Sequence, residues 1–217
     1  MTDTKIIEAR THGRYLVRVP QSAGPHPVLV GFHGYRENAA IHLDALTRIP
    51  DAERWLIVSV QGLHLFYTRE QEIVASWMTR QDRDAAIEDN VGYVGRVLKS
   101  VAVEYETTPV RVFAGFSQGG AMAYRAAAHY PADALIILAA DVPPDVATNG
   151  SALPPVLIGR GTQDPWYTAA KHAADLHTFA ALGVAVDSCV FEGGHEWTPA
   201  FCADAARLLR RVEGAVA

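Results

Sequence analysis

The stretch Val110 to His129, VRVFAGFSQGGAMAYRAAAH, decides the fold. Its first residues form a short apolar run that suits a strand, and from Gly119 onward the pattern is that of a helix. Between the two stands Gly115-Phe116-Ser117-Gln118-Gly119-Gly120. This is the G-x-S-x-G pattern of a serine carried on a sharp strand-to-helix turn. The hydroxyl must project from a strained backbone, and glycines on either side let strand and helix approach closely enough to make the turn. The alternative reading is a glycine-rich connection in which the serine only caps the helix.

Outward from this point the same alternation continues. Short apolar runs occur at Val28 to Phe32, Trp55 to Val60, Leu135 to Ala139, Val156 to Ile158 and Val184 to Val190. Such runs suit strands covered on both faces. Helical patterns fall between them, at about Ala39 to Thr47, Asp84 to Glu104, Gly119 to His129, Trp166 to Leu182 and Pro199 to Val212. The clearest places Ile87, Val91, Val94, Leu98 and Val101 at spacings of three and four, with Asp82 or Asp84 as its cap. Strand and helix in alternation predict a mostly parallel sheet with helices on both faces. At the start, Lys5 to Ala9 and Tyr15 to Val19 flank His12-Gly13 and read as an antiparallel hairpin. No repeat or linker divides the chain, so residues 1–217 are expected to form one domain.

Ligands of such sheets bind beyond the carboxyl ends of the strands. Three loops there carry chemistry. Gly161-Thr162-Gln163-Asp164-Pro165 offers a carboxylate after the serine, although Asp before Pro also reads as a helix start. Gly193-Gly194-His195-Glu196-Trp197 offers an imidazole after both. The chain order Ser117, Asp164, His195 is that of a nucleophile, an acid and a general base. Asp141 competes for the acid's place, since it too follows an apolar run and precedes His195. It is followed by Val-Pro-Pro, which suits a stiff surface connection. The third loop begins at His33-Gly34, where His33 orients the turn rather than taking a proton. His172 and His177 fall within a helical pattern and are expected to face solvent; His129 reads as a helix end.

Composition narrows the rest. A net charge of −5 without a basic block argues against nucleic acid. The cluster Arg207, Arg210 and Arg211 sits at a helix end, where it offsets the macrodipole. No apolar stretch approaches the length of a membrane span, and MTDTKIIEAR at the start is not a secretory leader. Cys189 and Cys202 read as reduced buried thiols, which points to the cytoplasm. Neither metal-ligand spacing nor a phosphate or dinucleotide loop occurs, so no cofactor and no metal are expected.

On the motifs GFHG, GFSQGG, GTQD and GGHEW, from about Tyr15 to Arg211, the chain resembles the α/β-hydrolase superfamily and, within it, the phospholipase/carboxylesterase family of small serine esterases. The resemblance implies an α/β-hydrolase fold without a cap domain. It also implies hydrolysis of a small-molecule carboxylic ester through an acyl-enzyme, with thioesterase or amidase chemistry, or a silent binding protein, as alternatives. Ser117 would be the nucleophile, His195 the base and Asp164 its partner, with the N–H groups of Tyr35 and Gln118 as oxyanion donors. After His33-Gly34 the chain reads Tyr-Arg-Glu-Asn, where family members commonly carry a smaller, Gly-rich continuation. The long segment Gln61 to Arg83 is expected to form a pocket wall or to cover the core. Substrate contacts are expected from His33, Trp77, Trp166 and Trp197.

Overall fold

The computed structural model describes residues 2–148 and 153–215. Seven strands form one sheet, in the order β1 (Tyr15–Arg18), β3 (Leu56–Val60), β2 (His26–Phe32), β6 (Thr107–Phe116), β7 (Ala134–Leu138), β8 (Val156–Gly161) and β9 (Val186–Phe191). All neighbours are parallel except β1, which runs antiparallel to β3 with Tyr15 opposite Val60. The antiparallel pairing expected at the N-terminus is therefore present, but with a different partner. Residues 5–9 are not a strand, and β1 takes its hydrogen bonds from the sheet edge.

Side chains alternate across each strand, so the sheet has two apolar faces. Val28, Val30, Phe32, Leu56, Val58 and Val60 point one way, toward α2 (Arg83–Glu104), α3 (Gln118–His129) and Phe179 of α5 (Ala169–Leu182). Leu29, Ile57, Val112 and Ala114 point the other way, toward α1 (Ala39–Thr47) and α6 (Pro199–Gly214). The spacing in α2 does what it predicted: Val91, Val94, Leu98 and Val101 are buried and Ile87 is half-buried. Asp82 stands at its N-cap, but its side chain accepts from Gln81 rather than from a helix amide, and Asp84 supplies negative charge in the first turn.

Four features lie beyond the sequence pattern. Residues 61–83 contain a two-stranded hairpin, β4 (His64–Tyr67) and β5 (Ile73–Ser76). A short helix, α4 (Pro144–Thr148), is tied to α3 by Arg125, which is only 2% exposed and grips both carboxylate oxygens of Asp145 at 2.7 Å. That guanidinium holds the Asp145 carboxyl below the usual carboxylate range. The arginines of α6 reach ion-pair partners: Arg210 meets Asp51 of the turn before β3, and Arg211 meets Asp187 of β9. His172, expected at the surface, is instead buried against Ser188 of β9, with Nε2 and the hydroxyl 2.9 Å apart; His177 is exposed.

Candidate active site

The carboxyl ends of β2, β6, β7, β8 and β9 bring the three loops to one edge of the sheet. Ser117 links β6 to α3 with φ 53° and ψ −122°, a conformation that costs an L-residue of order 1–3 kcal/mol. Its amide donates to the Leu138 carbonyl at 2.9 Å, which moors the turn to β7. The glycines are steric necessities here. A Cβ on Gly119 would lie 2.0 Å from the Phe32 carbonyl oxygen, and one on Gly115 would lie 2.5 Å from that of Gly119.

The Gln118 side chain works as a fork. Its Oε1 accepts from the Trp77 amide at 2.9 Å and the Ser76 hydroxyl at 3.2 Å, while its Nε2 donates to the Met78 carbonyl at 2.9 Å. Residues 76–78 are thereby clamped to the elbow. Among the described residues, the Gln118 and Tyr35 amides donate to no other group. They remain available to a ligand.

The loop carrying Tyr35 is held from beneath by His33. His33 is fully buried; its Nδ1 lies 2.7 Å from the Gly34 carbonyl and its Nε2 2.9 Å from the Gly62 amide. With Nδ1 donating and Nε2 accepting the ring is neutral, and burial lowers its pKa to about 4. Trp77 is also fully buried: its indole N–H donates to the His33 carbonyl at 2.8 Å and its ring lies 5.0 Å from that imidazole. Neither residue contacts the cavity beside Ser117, which corrects the expectation that they meet substrate. Burial of an apolar ring whose one donor is satisfied outweighs exposure in a pocket. On the outer side of the loop Tyr35, 56% exposed, stacks on Phe66 of β4 at 5.6 Å. Glu37, which sequence reasoning missed, accepts the Gly34 amide at 2.7 Å, and burial pushes its carboxyl pKa up.

On the opposite side stand Asp164 and His195. Asp164 Oδ2 and His195 Nδ1 lie 2.8 Å apart, with the carboxylate side chain wholly buried. Its other oxygen, Oδ1, accepts the amides of Trp166 at 2.8 Å and Tyr167 at 2.9 Å. The Asp-Pro pair does not start the helix, which begins five residues later; the Asp164 side chain instead closes the turn that precedes α5 while its other oxygen meets the imidazole. The formal N-cap of α5 is Thr168. Gly161 brings β8 against the last loop, since a Cβ there would lie 2.1 Å from the Gly194 oxygen. Asp141, the rival, is exposed and pairs with Lys171 at 3.2 Å rather than with His195.

His195 is framed by Phe116 and Trp166, each with its ring centre 4.8 Å away. Trp166, 65% exposed, lines the cavity as expected. Trp197 does not. It turns toward α1 and α6, 5.9 Å from His42 and 5.5 Å from Phe201, with its indole N–H buried and unpartnered. Ser117, Gln118, His195 and Trp166 share a cavity of 160 Å³. Among the described residues the hydrogen bonds do not include one between Ser117 and His195; such contacts commonly tighten only when substrate binds. No group of three or more His, Cys, Asp or Glu among the described residues could hold a metal ion, and no helix among them is long and apolar enough to cross a membrane.

No family model and no curated protein matches the chain. Solved structures do. Esterase PE8 superposes with a TM-score of 0.75 at 18% identity, over 93% of this chain and 100% of its own. The carboxylesterase of Bacillus cereus gives 0.72 at 18% identity over 92% and 94%, and acyl-protein thioesterase 2 of Zea mays 0.70 at 16% over 92% and 99%. At such identities the shared property is the path of the backbone: the chain has the α/β-hydrolase fold of these small enzymes and, among the described residues, no cap domain.

Proposed function

We propose that the chain is a serine hydrolase that cleaves carboxylic esters through an acyl-enzyme, with Ser117 as nucleophile, His195 as general base and Asp164 as its partner. The observation that carries this reading is the 2.8 Å contact between Asp164 and His195, with the strained Ser117 facing the same cavity. A buried carboxylate that accepts from Nδ1 leaves the Nε2 lone pair free to take the serine proton. The oxygen of Ser117 then attacks the ester carbonyl, and the amides of Tyr35 and Gln118 receive the negative oxygen. His195 returns the proton to the departing alcohol, and water repeats the sequence to free the acid.

Other nucleophiles are poorly placed. Cys189 and Cys202 are free and buried, and burial pushes the Cys189 thiol up to about 12, far from a reactive thiolate. Two reduced thiols also fit a cytoplasmic setting. The likeness to an acyl-protein thioesterase keeps thioesters as a second substrate class, since the same machinery attacks both. A fluorophosphonate probe and a nitrophenyl ester test the proposal together. The parent protein should be labelled and should turn over; Ser117→Ala should lose the label and about 10⁶ in kcat. Labelling that persists in the variant would overturn it.

A further inference from the structure

The cavity beside Ser117 has an uneven lining. Near the serine it is walled by small residues, Ala121 of α3 and Ala139 and Ala140 after β7, with Trp166 opposite. Its far rim is formed by Asp141 and Lys171, whose charged atoms are 3.2 Å apart. Both are set on fixed supports. Lys171 lies in the first turn of α5, and the amide of Val142, next to Asp141, donates to the buried Asp175 carboxylate at 3.1 Å. The other oxygen of Asp175 accepts the Tyr167 hydroxyl at 2.7 Å, so one carboxylate ties the two arms of the rim together.

Size and polarity then select the substrate. An apolar cavity of about 150 Å³ holds a benzene, which is six non-hydrogen atoms. The volume here is 160 Å³. A longer chain would have to displace this half-exposed ion pair, cover it, or bend out into water, and none of these adds buried apolar area. The acyl group stays on Ser117 through both chemical steps, whereas alcohol must leave and water must enter along His195. The space beside the serine therefore belongs to the acyl group. We infer that the Asp141–Lys171 ion pair closes the acyl side of this cavity and makes the enzyme selective for acyl chains of about six non-hydrogen atoms or fewer. This rests on the serine-hydrolase reading of the site.

The test is a series of nitrophenyl esters from acetate to dodecanoate, held below micelle-forming concentrations, on three proteins: the parent, Asp141→Ala/Lys171→Ala, and Ala121→Leu. In the parent, kcat/KM should fall at least about tenfold between hexanoate and decanoate, the lower end of the discrimination that a pocket of limited size gives. The double variant should cut that ratio about tenfold, and Ala121→Leu, which fills the space, should move the optimum to acetate. Each ratio is internal to one protein, so it does not depend on the fraction folded. A parent kcat/KM that rises through dodecanoate, or a double variant with the parent's profile, overturns the inference. Fluorophosphonate labelling run beside it separates the two failures. A labelled enzyme with the wrong chain profile sinks the inference alone, and an unlabelled one sinks the hydrolase reading.

Discussion

Replacing Asp164 by asparagine separates the two tasks of that side chain. Its oxygens accept three hydrogen bonds, two from backbone amides at Oδ1 and one from His195 at Oδ2. An asparagine has one acceptor oxygen and one NH₂ group, so it must choose. If the oxygen turned to His195, the NH₂ would face two N–H donors, one buried at Tyr167 and one part-buried at Trp166, and an unmet buried donor costs about 1–3 kcal/mol. The oxygen therefore stays with Trp166 and Tyr167, and the NH₂ points at Nδ1. The imidazole must then present its Nδ1 lone pair and carry its proton on Nε2, toward Ser117. It can no longer act as a base. The expected loss is about 10⁴ in kcat, or about 5 kcal/mol of transition-state stabilisation, with the turn and the melting temperature preserved. Steady-state rates on one nitrophenyl ester, with thermal melts of each protein, measure both. If Asp164→Asn keeps near-parent kcat while Asp141→Asn loses it, Asp164 serves only the turn and the acid is elsewhere.

Two further outcomes follow from buried polar groups. His33 and His42 are buried, and burial lowers their pKa values from 6.5 to about 4 and about 3, with His33 adding to the effect on His42. Because both folded values lie below the unfolded one, the unfolded chain binds the extra protons, and the stability these rings contribute above pH 6.5 is lost as pH falls toward 4. His42→Leu should flatten the urea-midpoint profile between pH 6.5 and pH 4 by on the order of 3 kcal/mol. Parallel profiles for variant and parent would refute this, and the comparison cancels Glu37 and Asp175, whose raised carboxyls act in the opposite sense. Gln118→Leu keeps the backbone donor but removes the fork, leaving the Trp77 amide without its acceptor. Melting temperature and kcat should both drop, the stability by about 1–3 kcal/mol; a variant that melts and turns over like the parent would show that the fork is idle.

What the sequence disclosed depended on how local the cause was. The spacings in α2 and the glycines at 115 and 119 are local patterns, and the structure places them as expected, whereas the Ser117, Asp164, His195 order was legible only as an order along the chain. The first strand was also legible, but its partner was not, because pairing Tyr15 with Val60 is a relation between distant segments that alternation cannot encode. Trp77 and Trp197 reveal the same limit. An aromatic side chain beside a catalytic motif can face either the cavity or the core, and the deciding contacts, the His33 carbonyl for one and the α1 and α6 side chains for the other, come from elsewhere in the chain. His172 looked like a solvent-facing helix residue until β9 brought Ser188 against it.

The hairpin of β4 and β5 is fastened along the length of β5, from Ile73 beside the turn to Ser76 opposite His64. Arg36 and Glu37 bond to Ala75, the Asn38 side chain bonds to the Ile73 carbonyl, and Gln118 grips residues 76–78, while the turn from Thr68 to Glu72 closes on itself. Beyond those contacts lies the tip, residues 68–72, whose hydrogen bonds among the described residues stay within the turn, while the segments next to the two candidate oxyanion amides are held by β5 and by residues 76–78. That tip is where the molecule can be lengthened, shortened or recoded, so that what it meets in solution is free to diverge while the chemistry beneath it stays in register.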